Sequence, residues 1–273
     1  MRHAEVVRQV AEETSHVAVE RHGAVYLLPT RQKAGVDRLL KPKWKEHRHL
    51  ERAVSALEGV GLAARGTVFL DVGAHVGTTA IAAVSRFGFE SVVAFEPEIE
   101  NYKLLRANVA INDLEAKVVT FNVAVSNRVG TAELKLRPEF GAKHRLVEGD
   151  EPGATTVTVP LTTLDGLAEE GGFEPARAGL LWLDVERHEL EALQGATTLV
   201  ERAVPIVIEF IPRALKREGK LKPLAALLAR HYTHVLDLRE DGDPEPVPVG
   251  ELRTLKKRYG RRFTDLLVFR RPQ

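Results

Sequence analysis

From about residue 66 onward, short apolar runs of β type alternate with stretches in which apolar residues recur every three or four positions. That alternation dictates a parallel sheet, because parallel neighbours need a crossover connection and a helix is the usual one. The β-type runs are Val68–Leu70, Val92–Phe95, Val118–Val125, Leu180–Val185 and Pro205–Phe210. Each is nearly continuous in apolar residues, as required when helices cover both faces of a sheet. Gly77–Arg86, Glu98–Asn112 and His188–Glu201 lie between them, and in the second Tyr102, Leu105 and Val109 mark one helical face. The expected architecture is doubly wound α/β. Ala214–Arg230 reads as a further helix, and His234–Leu238 and Thr264–Phe269 as two last strands that form an antiparallel pair at one sheet edge.

Residues 1–65 stand outside this alternation, and their clearest helix runs from about Trp44 to Leu62, with Leu50, Val54 and Leu57 on one face. We expect residues 1–65 to be a helical extension that caps a core of residues 66–273. A composition of 44% hydrophobic and 28% charged residues excludes a disordered chain. No apolar run reaches the roughly 18 to 20 residues that span a bilayer. The start, MRHAEVVRQVAEETSHVAVERHG, interleaves charges and lacks the apolar stretch of a signal peptide, so the expectation is a cytoplasmic protein with no membrane partner. With no cysteine, thiolate metal sites, disulfides and Cys nucleophiles are excluded, and any metal must be held by carboxylates and imidazoles. Lys and Arg number 39 against 38 Asp and Glu, so the chain lacks the overall basic excess of a dedicated nucleic-acid binder.

The segment VFLDVGAHVGTTA, Val68 to Ala80, runs from a strand through glycines into a helix, which is the mechanics of a nucleotide loop. Gly73 permits a sharp turn, and Gly77 lets the helix start close to the strand. The pattern Asp71-x-Gly73-x-x-x-Gly77 is neither the glycine fingerprint of a dinucleotide fold nor a phosphate-binding loop with its Lys-Ser/Thr. Asp71 would repel a phosphate but suits a ligand carrying a cation and an amino-acid group, such as S-adenosylmethionine (SAM). Glu96, at the tip of the second strand, is placed as a bidentate acceptor for the two ribose hydroxyls. Pro97 then reads as the first residue of the next helix.

The segments DVGAHVG (from Asp71), VVAFEPEIENYKLLRANVAIN (from Val92), FNVAVSN (from Phe121), TTLDGL (from Thr162), LDVERHELEALQGA (from Leu183) and PIVIEF (from Pro205) together resemble the FkbM family of SAM-dependent methyltransferases, in family order. The resemblance covers most of residues 30–270. It implies a seven-stranded, mostly parallel Rossmann-like methyltransferase sheet whose last strand is antiparallel. It also implies Asp71, Gly73 and Gly77 at the methionine moiety, Glu96 at the ribose, and Asn122 to Ala124 along the adenine. The product would be S-adenosylhomocysteine (SAH), and the acceptor a hydroxyl on a small molecule, a sugar or natural-product intermediate. Three positions depart from the family pattern. Trp182 stands where a Lys is usual, Arg187 where a Gly is usual, and His75 where an Asn is usual. We read His75 as a hydrogen-bond donor in the cofactor loop.

Chemistry at the carboxyl edge of the sheet then falls to Asp184, Glu186 and His188. Methyl transfer to a hydroxyl needs positioning and a base, and His has a pKa suited to neutral pH. His188 also fits a solvated first-turn position, and Glu186 a charge at a helix N-terminus. Asp184, Glu186 and Glu209 could instead gather Mg²⁺, a hard ion that prefers oxygen ligands; Glu209 alternatively is a plain strand-end charge. Residues 138–153, an irregular loop holding His144 and Arg145, and the acidic, Pro-rich residues 241–250 carry no recognisable code. Basic runs begin at Lys41, Lys216 and Leu255, interleaved with Trp44, Tyr259 and Phe263. Such runs can track a phosphate backbone, which keeps an RNA or other macromolecular acceptor as an alternative, beside that of a non-catalytic SAM-binding module.

Overall fold

The computed structural model describes residues 12–32, 44–138, 143–147, 153–239, 245–252 and 263–272, together with residues 5, 9, 10, 35 and 141. Residues 9, 10, 12 and 13 are helical; a hairpin follows, of β1 (His16–Arg21) and β2 (Ala24–Pro29), and then helix α1 (Lys45–Gly59). The glycine loop lies between β3 (Val68–Val72) and α2 (Thr78–Ser85). Then come β4 (Ser91–Phe95), α3 (Ile99–Ile111), β5 (Val118–Phe121), β6 (Ala124–Val125), β7 (Gly130–Lys135), β8 (Arg145–Val147), β9 (Thr156–Thr162) and α4 (Leu164–Glu169). The chain continues through β10 (Ala178–Leu183), α5 (Glu189–Gln194), α6 (Thr197–Glu201), β11 (Ile206–Phe210), α7 (Pro212–Arg217) and α8 (Leu221–His231). It ends with β12 (His234–Asp237), β13 (Val247–Pro248) and β14 (Thr264–Phe269).

The main sheet has the order β13-β12-β14-β11-β10-β3-β4-β5. The five strands from β11 to β5 are mutually parallel, and β14 is antiparallel to both of its neighbours. One expectation is corrected: the sheet has eight strands, not seven, because the two-residue β13 pairs with the outer side of β12. The two strands expected last, β12 and β14, do form an antiparallel pair at that end of the sheet, with β14 next to β11.

Alternate residues of these strands enter two separate cores, which is why the strands read as continuously apolar. Leu70, Val72, Leu181, Leu183, Ile206 and Ile208 pack under α4 to α8. Phe69, Ala94, Leu180, Trp182 and Val207 pack under α1, α2 and α3. The chain leaves β3 toward β4 and β5 on one side, and β10 toward β11 on the other, so strand order reverses between β3 and β10. Ligands of such sheets bind beyond the carboxyl ends at that reversal.

Several sequence boundaries move for local reasons. The run Val118–Val125 is two strands in two sheets, because Asn122 Nδ2 donates to the carbonyls of Glu96 (2.9 Å) and Pro97 (3.0 Å) and turns the chain out of the main sheet. β6 then joins β9, β7 and β8 in a separate four-stranded sheet around Leu134, Val159 and Leu161. The sequence reading missed this sheet, and β8 lies within the stretch taken as an irregular loop. Pro97 does not begin α3: Glu98 caps it, accepting from the Asn101 N–H at 2.8 Å. His188–Glu201 and Ala214–Arg230 each divide into two short helices, the second pair separated by the left-handed Gly219, φ 74°.

Among the described residues of 1–65, a hairpin stands between helical residues 9, 10, 12 and 13 and helix α1, so the extension is not helical throughout. The free edge of β2 is covered by two asparagines one turn apart on α3. Asn108 Oδ1 accepts from the Leu27 N–H at 2.6 Å, and Asn112 Oδ1 from the Val25 N–H at 2.8 Å. Their amides donate back to the same residues' carbonyls at 3.1 and 2.6 Å. Side chains thus stand in for a neighbouring strand and close an edge that would otherwise invite pairing. Among the described residues, no helix is long and apolar enough to cross a membrane.

Candidate functional site

A cavity enclosing about 860 Å³, its open mouth included, lies over the carboxyl ends of β3, β4 and β10. Its wall takes Gly73, His75, Glu96, Ala124, Asp184, Glu186 and His188 from the residues expected at the site. Asp71, Gly77, Asn122 and Glu209 do not line it. Apolar wall is supplied by Phe95, Pro97, Val123, Leu146 and Trp182, and polar wall by Glu46, Thr78, Asn101 and Arg145.

The glycine loop is built on close approach. A Cβ at Gly73, φ 89°, would lie 2.0 Å from the Asp184 carbonyl oxygen, so only glycine lets the end of β3 pass the end of β10. Gly77 caps α2 in the left-handed region, φ 85°, and its missing side chain leaves room for Leu105 of α3. His75 is also left-handed, φ 51°, which explains the usual Asn: Asn tolerates that region best after Gly. The His75 N–H donates to Glu96 Oε2 at 2.9 Å. Glu96 Oε1 accepts from the Glu98 N–H at 3.0 Å. The carboxylate therefore ties the loop after β3 to the loop after β4 while still facing the cavity. Burial pushes Glu96 up to about 7 despite these donors. Behind it, Asp71 is 1% exposed with Oδ2 lacking a hydrogen-bond partner, and burial, with Glu96 adding repulsion, raises it to about 7.

At the other end the cavity is acidic. Oxygens of Asp184, Glu186 and Glu209 all lie within 4.8 Å of one another. Asp184 faces the cavity and is accessible through it, yet protein encloses it closely. That enclosure, followed by repulsion from Glu186 and Asp265, raises its carboxyl well above the usual range. Burial and then the Asp184 charge raise Glu209 in the same way. Glu186 is raised by burial against the opposing fields of Lys143, Arg187 and Arg137. Asp265, opposite Glu209 in the β11–β14 register, behaves differently. Its burial is outweighed by His49 Nδ1, which sits against Oδ2, and by Lys45 Nζ at 2.9 Å, so its carboxyl is held low. Burial disfavours the Lys45 charge, but the carboxylates of Asp265, Asp184 and Glu209 raise its pKa. Helix α1 thus brings one ammonium to a group of carboxylates from three strands.

Glu186 and Arg187 form a turn in which both residues are left-handed, φ 47° and 79°. This accounts for the usual Gly at position 187 and shows what replaces its freedom here. The Arg187 N–H donates to Glu189 Oε1 at 3.0 Å, its guanidinium pairs with Glu218, and Lys220 Nζ donates to its carbonyl at 2.9 Å. Lys220 also pairs with Glu191 at 2.8 Å. A backbone in this region costs on the order of 1 kcal/mol per residue and persists where surroundings over-determine it. His188 follows as the residue capping α5, with Nε2 2.9 Å from Ser126 Oγ and Nδ1 3.7 Å from Glu191. It therefore belongs to the cavity wall and is not merely a solvated first-turn residue. Trp182 packs 6.4 Å from Phe69, ring to ring, as part of the core and the cavity wall.

The sequence reading missed Lys45, Glu46, His49, Ser126, Glu189 and Asp265. Only the basic run from Lys41 gave any signal for the first three, and it pointed to another chemistry. Of the basic runs, residues 41–43 and 255–262 lie outside the described residues.

The family description "Methyltransferase FkbM domain" matches residues 71–261. The methyltransferase sdnD of Sordaria araneosa is 29% identical over 46% of this chain, which spans 59% of that relative's length. Among solved structures, the methyltransferase FkbM of Methylobacillus flagellatus KT aligns with a TM-score of 0.47 at 16% identity, covering 75% of this chain and 44% of that one. P. horikoshii TYW2 in complex with MeSAdo aligns with a TM-score of 0.46 at 15% identity, over 93% of this chain and 72% of that one.

Proposed function

The chain belongs to the FkbM methyltransferase family, and on that premise we propose that it is a SAM-dependent O-methyltransferase acting on a hydroxyl of a small molecule, such as a sugar or natural-product intermediate. The observation that carries the reading is the arrangement of one cavity with two unlike ends. One end joins a glycine loop and a strand-end glutamate, and the other gathers three carboxylates. Residues 1–65 act in this reading as an extension that closes the site, since Lys45 and Glu46 reach it from α1.

The residues present fit SAM. Glu96 keeps lone pairs for both ribose hydroxyls beyond those used by the loop N–H groups. Pro97, Val123 and Ala124 offer an apolar slot for adenine, which Asn122 frames from behind through its bonds to Glu96 and Pro97. Asp71, with one orphaned buried oxygen, sets a negative field behind Gly73 and His75, favouring a cationic ligand there. SAM, when bound, supplies an electrophilic methyl on a sulfonium centre. The chain then has to align the acceptor and take its proton. Asp184 and Glu186 face the cavity for that purpose, with Glu209 behind them and His188 at the rim. A positioned base typically contributes about 10² to 10⁴ in rate. Burial, then mutual repulsion, raises both Asp184 and Glu209, the latter to about 10, so Glu209 holds its proton near neutral pH and Lys45 stabilises the charge on its neighbours. The same oxygens suit Mg²⁺. We favour the base over the metal because the Lys45 ammonium already supplies a positive charge beside Asp265 and near Asp184 and Glu209.

The test is a thermal-unfolding comparison with SAH, SAM, NAD and no ligand. A ligand at about 100 times its Kd stabilises by roughly 2.7 kcal/mol, so a rise of a few degrees with SAH and SAM but not NAD is expected. A shift with NAD alone would remove the methyltransferase reading.

A further inference from the structure

A second groove, about 2010 Å³ with its open mouth, runs between the four-stranded sheet and the helices that follow β10. Ala132, Val147 and Leu161 line it from the sheet, Leu190 and Gln194 from α5, and Lys220 from the turn between α7 and α8. It meets the first cavity, because Arg145, Leu146, Glu186 and His188 line both. Its volume is more than twice the 860 Å³ of that cavity and exceeds the roughly 300 to 1,000 Å³ of a pocket for one small ligand. A ligand that fills it is extended. The lining is polar without net charge, since four Lys and Arg side chains along it are matched by four carboxylates. Arg187 pairs with Glu218, and Lys220 with Glu191 at 2.8 Å, so the protein meets these charges itself. The exposed Asn127 and Gln194 are joined through Asn127 Nδ2, which donates to Gln194 Oε1 at 3.1 Å. That pair still offers the Gln194 amide nitrogen as a donor and a lone pair of Asn127 Oδ1 as an acceptor. Among the described residues, no Phe, Tyr or Trp lines the groove. It therefore lacks the stacking platform used for single-stranded nucleic acid and the excess of positive charge that phosphates require.

We propose that this groove binds a neutral, hydroxyl-rich oligomer, an oligosaccharide chain, and presents a hydroxyl of its last unit to the carboxylates of the first cavity. Each hydroxyl both donates and accepts, which suits a lining of amides and paired charges. The buried Val147, Leu161 and Leu190 offer apolar surface to the C–H faces of the rings. Strands β7 to β9 thereby form one wall of an acceptor groove, and Glu186 and His188 stand where the groove opens into the cavity. The proposal rests on reading that cavity as the site of methyl transfer, and it narrows the acceptor from any small hydroxyl compound to the end of a chain. There the terminal oxygen bonds the methyl carbon as the methyl–sulfur bond breaks, and its proton passes to Asp184.

The experiment applies the protein, with SAH present, to an array of neutral, uronate-bearing and sulfated glycans of graded chain length, with a single-stranded RNA spotted beside them. The tightest neutral glycan is then titrated by calorimetry into the wild type and Asn127→Ala/Gln194→Ala, and SAH titration into each serves as the folding control. Neutral chains of several units are expected to bind and the matching monosaccharide not. Affinity for the chain should fall about tenfold in the double variant, with SAH binding unchanged, and should barely respond to salt, since a neutral ligand has no charge to screen. With the bound chain as acceptor, kcat/KM for SAH release should rise with chain length, and the double variant should raise KM. Binding of RNA or of anionic glycans alone, no glycan binding, equal affinity for one unit and for several, or equal affinity in the two proteins overturns the proposal. If SAH binds the wild type and no neutral glycan does, the groove reading falls and the methyltransferase reading stands. Failure of SAH to bind the wild type removes the methyltransferase reading, while the chain-length series still decides what the groove holds.

Discussion

The two ends of the main cavity are made in opposite ways. The glycine-loop end comes from two adjacent strand-to-helix turns, 71–77 and 95–98, and its carboxylate is satisfied by backbone N–H groups of those same turns. The acidic end draws Asp184, Glu186, Glu209, Asp265, Lys45 and His49 from helix α1 and the ends of three strands, and side-chain charges balance it. Backbone hydrogen bonds fix geometry whatever the ligand state, whereas a charge cluster can change its protonation when a partner arrives. In the proposed reading, the first end holds the cofactor and the second handles the acceptor.

The sharpest break in that comparison is Asp184→Asn. It removes the cavity-facing carboxylate without changing shape, so methyl transfer is expected to fall by about 10² or more, while SAH affinity stays within about threefold. If SAH affinity fell and transfer did not, the roles of the two ends would be exchanged. Next in size is Glu96→Ala, which is expected to weaken SAH by about 1.5 to 3 kcal/mol through lost charge-assisted hydrogen bonds; calorimetry decides it, and unchanged affinity removes Glu96 from the cofactor. Addition of EDTA, followed by Mg²⁺, is expected to leave transfer unchanged; a loss restored by Mg²⁺ would replace the base with a metal.

The pH dependence sharpens the first end alone. Glu96 and Asp71 are each raised to about 7 from ordinary values near 4, so between those limits the folded protein binds more protons than the unfolded chain. Their contribution to stability is complete below pH 4 and is lost as pH rises toward 7. Urea midpoints of the ligand-free protein should fall across that window, and Glu96→Gln should flatten the fall. Ribose hydroxyls donate to the ionised carboxylate, so SAH affinity should rise between pH 6 and 8 in the wild type and not in Glu96→Gln.

How much was legible follows from the same contrast. Gly73, Gly77 and Glu96 were readable because each is demanded within one strand-turn-helix unit, where spacing is meaning. Asp184 and Glu186 were readable as strand-end residues. Lys45 and Asp265 were not, since nothing local marks a Lys on a surface helix or an Asp in an apolar strand; only the packing of α1 onto β14 makes them neighbours. Residues 118–162 misled for a different reason. The break at Asn122 depends on carbonyls some 25 residues earlier, and the second sheet is mostly short and half-exposed, so neither period nor burial announced it.

The smallest effect expected is at Arg187, and its sign separates strain from pairing. Arg187→Gly relieves a left-handed backbone at a cost saved of about 1 kcal/mol. It also removes the pair with Glu218, whose side chains are 18% and 27% exposed and which at that exposure contributes about 1 kcal/mol or less. The two nearly cancel, so denaturant midpoints should move by under about 1 kcal/mol. In a Glu218→Gln background the pairing loss is already taken, and the same change to Gly should stabilise. The carbonyl of residue 187 still accepts from Lys220 in the glycine variant, so Glu186 stays aimed at the cavity and transfer is retained. A destabilised double variant would mean that the guanidinium holds the turn through contacts other than Glu218, and that the acidic end depends on side-chain packing for its shape as well as for its charge.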